Sequence, residues 1–135
     1  MALGKVSHTW TLNVKNDVTS GNLLADTQII TGSSENRKNV LVPAGQTAEM
    51  DMGSIPFAKI LSLFLFCDQA VTIDTNASDG TGGQVIALAA NKAYCWNNSM
   101  PTANPITANI TKIFVTNAGA KDANFGCAFL LNELA

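Results

Sequence analysis

Apolar and polar residues alternate strictly over the first stretch of the chain. Val6, His8, Trp10, Leu12 and Val14 fall on one face and Ser7, Thr9, Thr11 and Asn13 on the other, the period of a half-buried strand. Asn16-Asp17 and Ser20-Gly21-Asn22 then supply turn residues, and Leu24 to Thr31 gives a second β-rich run ending at Gly32-Ser33-Ser34. Asn39 to Val42 leads through Pro43-Ala44-Gly45 into an alternating segment, Thr47 to Met52, and these two runs are read as a hairpin. Ile60 to Cys67 is almost continuously apolar, broken only by Ser62. Its length fits a buried strand, and Asp68-Gln69 joins it to the β-branched run Val71 to Thr75, read as a central hairpin. Further strands are predicted at Gln84 to Ala89, Ala93 to Trp96, Ala108 to Thr116 and Ala123 to Leu131. Asn76 to Gly83 reads as a glycine-rich loop, and Asn97 to Thr107, with Pro101 and Pro105, as a loop wrapping one edge.

About nine or ten short strands at roughly 8 to 14 residue spacing, with no helical period, predict an all-β fold: an antiparallel β-sandwich, jelly-roll-like. A chain of 135 residues fits one domain, 1–135, with a short N-terminal arm of about residues 1–5 expected to dock on a partner.

Composition changes the picture in one respect. Only 13% of residues are charged and 47% are hydrophobic, against a usual charged share of about 25%. A surface so poor in solvating charge is expected to be covered in part by partners. The net charge of −2 and the lack of a basic run beyond Arg37-Lys38 predict no direct nucleic-acid binding. Residues Met1 to His8 turn polar before an apolar segment forms, so no signal peptide is expected and synthesis in the cytoplasm follows. No apolar run approaches the ~20 residues of a membrane span. The sequons at Asn76, Asn97 and Asn109 carry meaning only in a secretory pathway.

Candidate chemistry is sparse. The single histidine, His8, lies beside Trp10 on the alternating face of the first strand and is read as a structural or interface residue. Cys67, Cys95 and Cys127 are too widely spaced for a Cys-x-x-Cys site and are read as small buried hydrophobes. Glu49 and Asp51 share one strand face in the manner of paired carboxylates, against the plainer reading of a solvated face. Asp74 to Gly80 is rich in oxygen ligands, but its glycine falls one place late and Val85 stands where a calcium loop needs glutamate, so a hairpin loop is expected. Gly80-Thr81-Gly82-Gly83 has no lysine after it and opens a strand, unlike a phosphate loop. No catalytic residue, metal or cofactor is assigned. Tyr94 and Trp96 beside Asn97-Asn98 give the one lectin-like hint. An exposed Leu63-Phe64-Leu65-Phe66 would invite aggregation, so it must be interior or covered by an oligomer contact.

The stretch from Lys59 to Asn76 has an apolar strand ending at Cys67-Asp68-Gln69 and a Val71-Thr72-Ile73 strand ending at Thr75-Asn76. It is followed by Val85 to Leu88, the turn Ala89-Ala90-Asn91, Trp96, and the closing Ile113-Phe114-Val115-Thr116-Asn117-Ala118-Gly119. This series resembles small β-sandwich structural proteins of tailed bacteriophages, over roughly Val40 to Leu131. Cys67 replaces the serine of that pattern, and Lys92-Ala93-Tyr94 departs from its shorter approach to the tryptophan. The resemblance implies a non-enzymatic virion protein: a capsid decoration or cement protein, trimeric, bound between major capsid subunits and assembled in the host cytoplasm. A tail, baseplate or fibre-associated module and a carbohydrate-binding sandwich are the alternatives.

Overall fold

The computed structural model describes residues 5–15 and 22–133. Within them ten strands follow in chain order: β1 (Val6–Lys15), β2 (Asn22–Gly32), β3 (Ser34–Val42), β4 (Thr47–Ile55), β5 (Ile60–Cys67), β6 (Val71–Thr75), β7 (Val85–Leu88), β8 (Tyr94–Asn97), β9 (Ile110–Thr116) and β10 (Ala123–Leu131). One 3-10 turn, Phe57–Lys59, precedes β5. Of the N-terminal arm expected over residues 1–5 only Lys5 lies within the described residues, and the turn after β1 lies outside them.

Eight strands form two antiparallel four-stranded sheets, ordered β3-β10-β5-β8 and β4-β9-β6-β7. Every connection from β3 to β10 crosses between sheets except β6 to β7, and that alternation is the jelly roll. The chain is therefore an all-β antiparallel sandwich, as its periodicity predicts. Phe125 and Phe129 on β10, Leu63 and Leu65 on β5, and Ile113 and Val115 on β9 are fully enclosed between the sheets. The loop after β8 closes one open edge. Trp96 Nε1 donates to the carbonyl of Thr102 at 2.8 Å, and Gln84 Nε2, just before β7, donates to Thr107 Oγ1 at 2.6 Å.

Two pairings differ from the sequence expectation. Thr47 to Met52 does not pair with Asn39 to Val42: β3 pairs with β10, β4 with β9, and the chain arches between sheets at Pro43-Ala44-Gly45. A short turn between two amphipathic strands suits an arch or a hairpin equally, and the distant nine-residue partner β10 decides for the arch. Likewise β5 and β6 belong to opposite sheets. Asp68, instead of closing a hairpin, ties the end of β5 sideways to β10, accepting from Asn124 N at 2.8 Å and Asn124 Nδ2 at 3.0 Å. β3 also starts earlier than predicted, at Ser34, because Glu35 and Arg37 fall on the outward face of an edge strand, where charge is tolerated.

The remaining pair, β1 and β2, is a separate antiparallel hairpin. It leaves the sandwich at Gly32-Ser33, where a Cβ on Gly32 would stand 2.6 Å from the carbonyl oxygen of Leu131, and Ser33 N donates to that same oxygen at 2.8 Å. Only glycine allows so close a pass.

Candidate docking surface

The hairpin lies on the outward face of sheet β3-β10-β5-β8 and covers half of it. Cross-strand partners share a face. Glu35 is opposite Leu130 and Leu130 is opposite Ser62, which is opposite Asn97, so these four form a row across the sheet. Ser62 and Asn97 are completely buried beneath the hairpin. Asn97 Nδ2 donates to Gln28 Oε1 of β2 at 2.9 Å. His8 of β1 lies between β3 and β5, with Nε2 2.7 Å from Glu35 Oε2 and Nδ1 2.8 Å from Ser62 Oγ, and Trp10 Nε1 donates to the same hydroxyl at 3.3 Å. For a neutral imidazole the directions are set by the acceptor-only carboxylate: His8 Nε2–H donates to Glu35, Ser62 donates to Nδ1, and Ser62 accepts from Trp10. Arg37 Nε completes the chain by donating to Glu35 Oε1 at 2.6 Å. The Arg37 hydrogen bond, opposed by partial burial and helped by His8, holds the Glu35 carboxyl below its ordinary range.

A serine, a histidine and a glutamate in series invite comparison with a nucleophilic triad. The sequence reading did not foresee it, because His8 is 54 residues from Ser62 and 27 from Glu35. In this fold Ser62 has no solvent exposure and Trp10 occupies its oxygen, so the series acts as a latch that fixes the hairpin. Glu49 and Asp51 sit on the exposed face of β4, where Glu49 Oε1 meets Lys112 Nζ at 2.6 Å and Asp51 Oδ1 accepts from Gly53 N at 2.9 Å. Asp74 to Gly80 leads from β6 into its hairpin with β7, where Asp79 Oδ1 accepts from Thr81 and Asn76 Nδ2 donates to the carbonyls of Gly82 and Asn109. Among the described residues no three His, Cys, Asp or Glu side chains converge as a metal site would require. Cys67 and Cys127 are buried in the core; burial pushes the Cys127 thiol up to about 11. Cys95, opposite Phe64, is on the outward face and only partly buried. The lectin-like set is dispersed: Trp96 packs into the core, Tyr94 packs against it, and Asn97 lies under the hairpin.

The other half of the outward face is open. Beyond the covered row come Arg37, Ala128, Phe64 and Cys95, then Asn39, Gly126 and Phe66, then Leu41 and Asn124. Phe64 is 41% exposed and Leu41 54%, and the rings of Phe64 and Phe66 stack 6.5 Å apart at 15°. The small residues Gly126 and Ala128 of β10 make a furrow between the phenylalanines of β5 and Arg37 and Asn39 of β3, bounded at one end by β1. Of the four residues expected to be interior or covered by an oligomer contact, Leu63 and Leu65 are interior, and Phe64 faces out with Phe66 half-buried beside it.

No family model matches the chain, and no curated protein matches it. Two solved structures are similar in outline. One is the solution NMR structure of a de novo designed double-stranded beta-helix, at 12% identity and a TM-score of 0.42, covering 69% of this chain and 96% of that one. The other is the Cnp3 cupin domain of Schizosaccharomyces pombe, at 12% identity and a TM-score of 0.40, covering 95% of this chain and 86% of that one.

Proposed function

We propose that the chain is a virion structural protein of a tailed bacteriophage, a capsid decoration or cement protein that binds between major capsid subunits as a trimer and stabilises the head. The observation that carries the docking role is the uncovered half of the outward sheet face, where Phe64, Phe66 and Leu41 stand among small residues with Arg37 beside them. Aromatic residues and Arg are enriched where proteins meet, and carboxylates and Lys are depleted. The low charged content of the chain and the phage-like strand pattern from Lys59 to Asn76 supply the virion setting. Covering the exposed part of Phe64 removes roughly 60 to 100 Å² of apolar surface, about 1.5 to 2.5 kcal/mol per contact. A cement protein stabilises its shell by that binding energy, multiplied over many sites. No chemistry is asked of it.

Co-sedimentation with phage shells stripped of the protein tests this, with light scattering for the oligomeric state. Saturable binding that weakens ten-fold or more in Phe64→Ser, a substitution at a partly exposed site, is the expected result. A chain that ignores shells and binds tails or baseplates would replace the capsid reading with the tail reading.

A further inference from the structure

The hairpin that covers half of the outward face leaves an edge of its own bare. Among the described residues β1 pairs with β2 alone, so at every second position its N–H and C=O point away from β2. Edge strands are ordinarily blunted by charges, prolines or bulges. From Val6 to Val14 β1 has no Asp, Glu, Lys, Arg or Pro, and the one irregularity of its ladder falls after Val14. Ser7 to Thr11 run along the cavity beside the row Arg37, Ala128, Phe64. A further strand would lie about 4.8 Å from β1, in the space above that row, one row out from the residues the hairpin already covers.

We propose that this cavity receives an extended segment of a partner polypeptide, which adds as a third strand to the free edge of β1 and carries a carboxylate at the end lying over Arg37. The bare main-chain row selects a polypeptide, since strand addition draws its affinity from backbone hydrogen bonds and its specificity from alternate side chains. The inward side chains of the segment meet a floor that is small at Ala128 and aromatic at Phe64, which suits an apolar residue. Among the described residues Arg37 is the one charged side chain lining the cavity; its side chain is 65% exposed, and Nε and Nη2 donate to the two Glu35 carboxylate oxygens from one side of the guanidinium. A second copy's β1 does not fit. Antiparallel pairing of two β1 strands turns about an axis normal to the hairpin and brings both sandwiches to the same side of it, where the partner's sandwich would collide with the Phe64 and Phe66 floor. The inference rests on the docking reading, because the segment belongs to the neighbour on which the chain sits.

A display library of random nine-residue peptides, panned on the intact chain and counter-selected on Ala128→Trp, supplies the probe. The expected peptides alternate apolar residues and carry Asp or Glu at one end. They shift the amide resonances of Ser7 to Thr11, and they lose ten-fold or more in affinity when alternate peptide amides are N-methylated in one of the two phases. Phe64→Ser, at a partly exposed position, gives the same loss if Ala128→Trp does not fold. Absence of enriched peptides, peptides that leave β1 unshifted, or equal affinity after N-methylation in both phases would overturn strand addition. Amide exchange on shell-bound chain separates the two readings. Shell binding without new protection of Ser7 to Thr11 overturns strand addition and leaves docking in place. Peptides bound at β1 with no binding to shells sustain strand addition and remove the capsid as the partner.

Discussion

The sandwich and the hairpin are made of the same kind of strand but are held by different forces. Within the sandwich β10 has a neighbour on each side over most of its length and drives Phe125, Cys127, Phe129 and Leu131 into the space between sheets, so cohesion is apolar and shared by all eight strands. Among the described residues the hairpin has no such layer above it. Beyond the burial of Ile30 and the close pass at Gly32, it is fastened by His8, Trp10 and Gln28 to the buried Ser62 and Asn97 and the partly buried Glu35. Each such bond contributes about 0.5 to 1.5 kcal/mol net, which is small beside a buried aromatic. The hairpin is therefore expected to open on its own while the sandwich stays folded, as a separate cooperative unit.

The largest effect is expected in the sandwich. Phe129→Ala removes a fully buried ring from the strand that joins β3 and β5, and such truncations cost about 3 to 5 kcal/mol, a large part of a typical total of about 5 to 15 kcal/mol. Urea titration should show a lower midpoint with the slope unchanged. Ser62→Ala comes next. It leaves His8 Nδ1 and Trp10 Nε1 without their common partner beneath the hairpin, at a cost of about 1 to 3 kcal/mol. Amide exchange should quicken in β1 and β2 while β10 keeps its protection; equal loss in β10 would break the distinction between the two regions.

Acid should act on the same latch more gently. The Glu35 carboxyl is held below its ordinary value of 4.5, first by the Arg37 hydrogen bond and further by His8. A carboxylate with a depressed folded value gives its full contribution above that ordinary value and loses it as pH falls through the folded one. Between neutrality and pH 4.5 Glu35 should leave the hairpin unchanged, and below that it should loosen it. The Trp10 Nε1–H resonance would report the step, which should be absent in Glu35→Gln.

The alternation at Val6 to Leu12 and at Thr47 to Met52, the apolar run at Ile60 and the β-branched runs at Val71 and Ile110 made the strands readable in order, since each obeys a local period. Pairing was another matter. Whether Val42 and Thr47 flank a hairpin or an arch depends on β9 and β10, which lie far along the chain. The open face was half visible: the hazard at Phe64 and Phe66 could be named, but not which of the four residues from Leu63 to Phe66 would face out. The latch was hidden altogether. His8 looks alone because its partners come from β3 and β5, and Ser62 looked like an interruption in an apolar strand until the hairpin was laid over it. Trp96 misled for the opposite reason: polar neighbours at Asn97-Asn98 suggested a surface, whereas its indole packs into the core and finds its partner at the Thr102 carbonyl.

The cysteines offer the mildest test, because alkylation reads both faces of one sheet at residues already in place. Cys127 faces the core from β10, and burial pushes its thiol up to about 11, so at pH 8 roughly one molecule in a thousand carries the reactive thiolate. Cys95 faces outward beside Phe64 on the open half; burial raises its thiol as well, but the group is only partly covered. Iodoacetamide at pH 8, followed by mass spectrometry of the peptides, should modify Cys95 at least ten-fold faster than Cys127. Ser62→Ala should leave the Cys127 rate unchanged, since loosening the hairpin uncovers the outward face and not the space between the sheets. If Cys127 instead becomes reactive when the latch is cut, the hairpin supports the sandwich and the two regions fold as one.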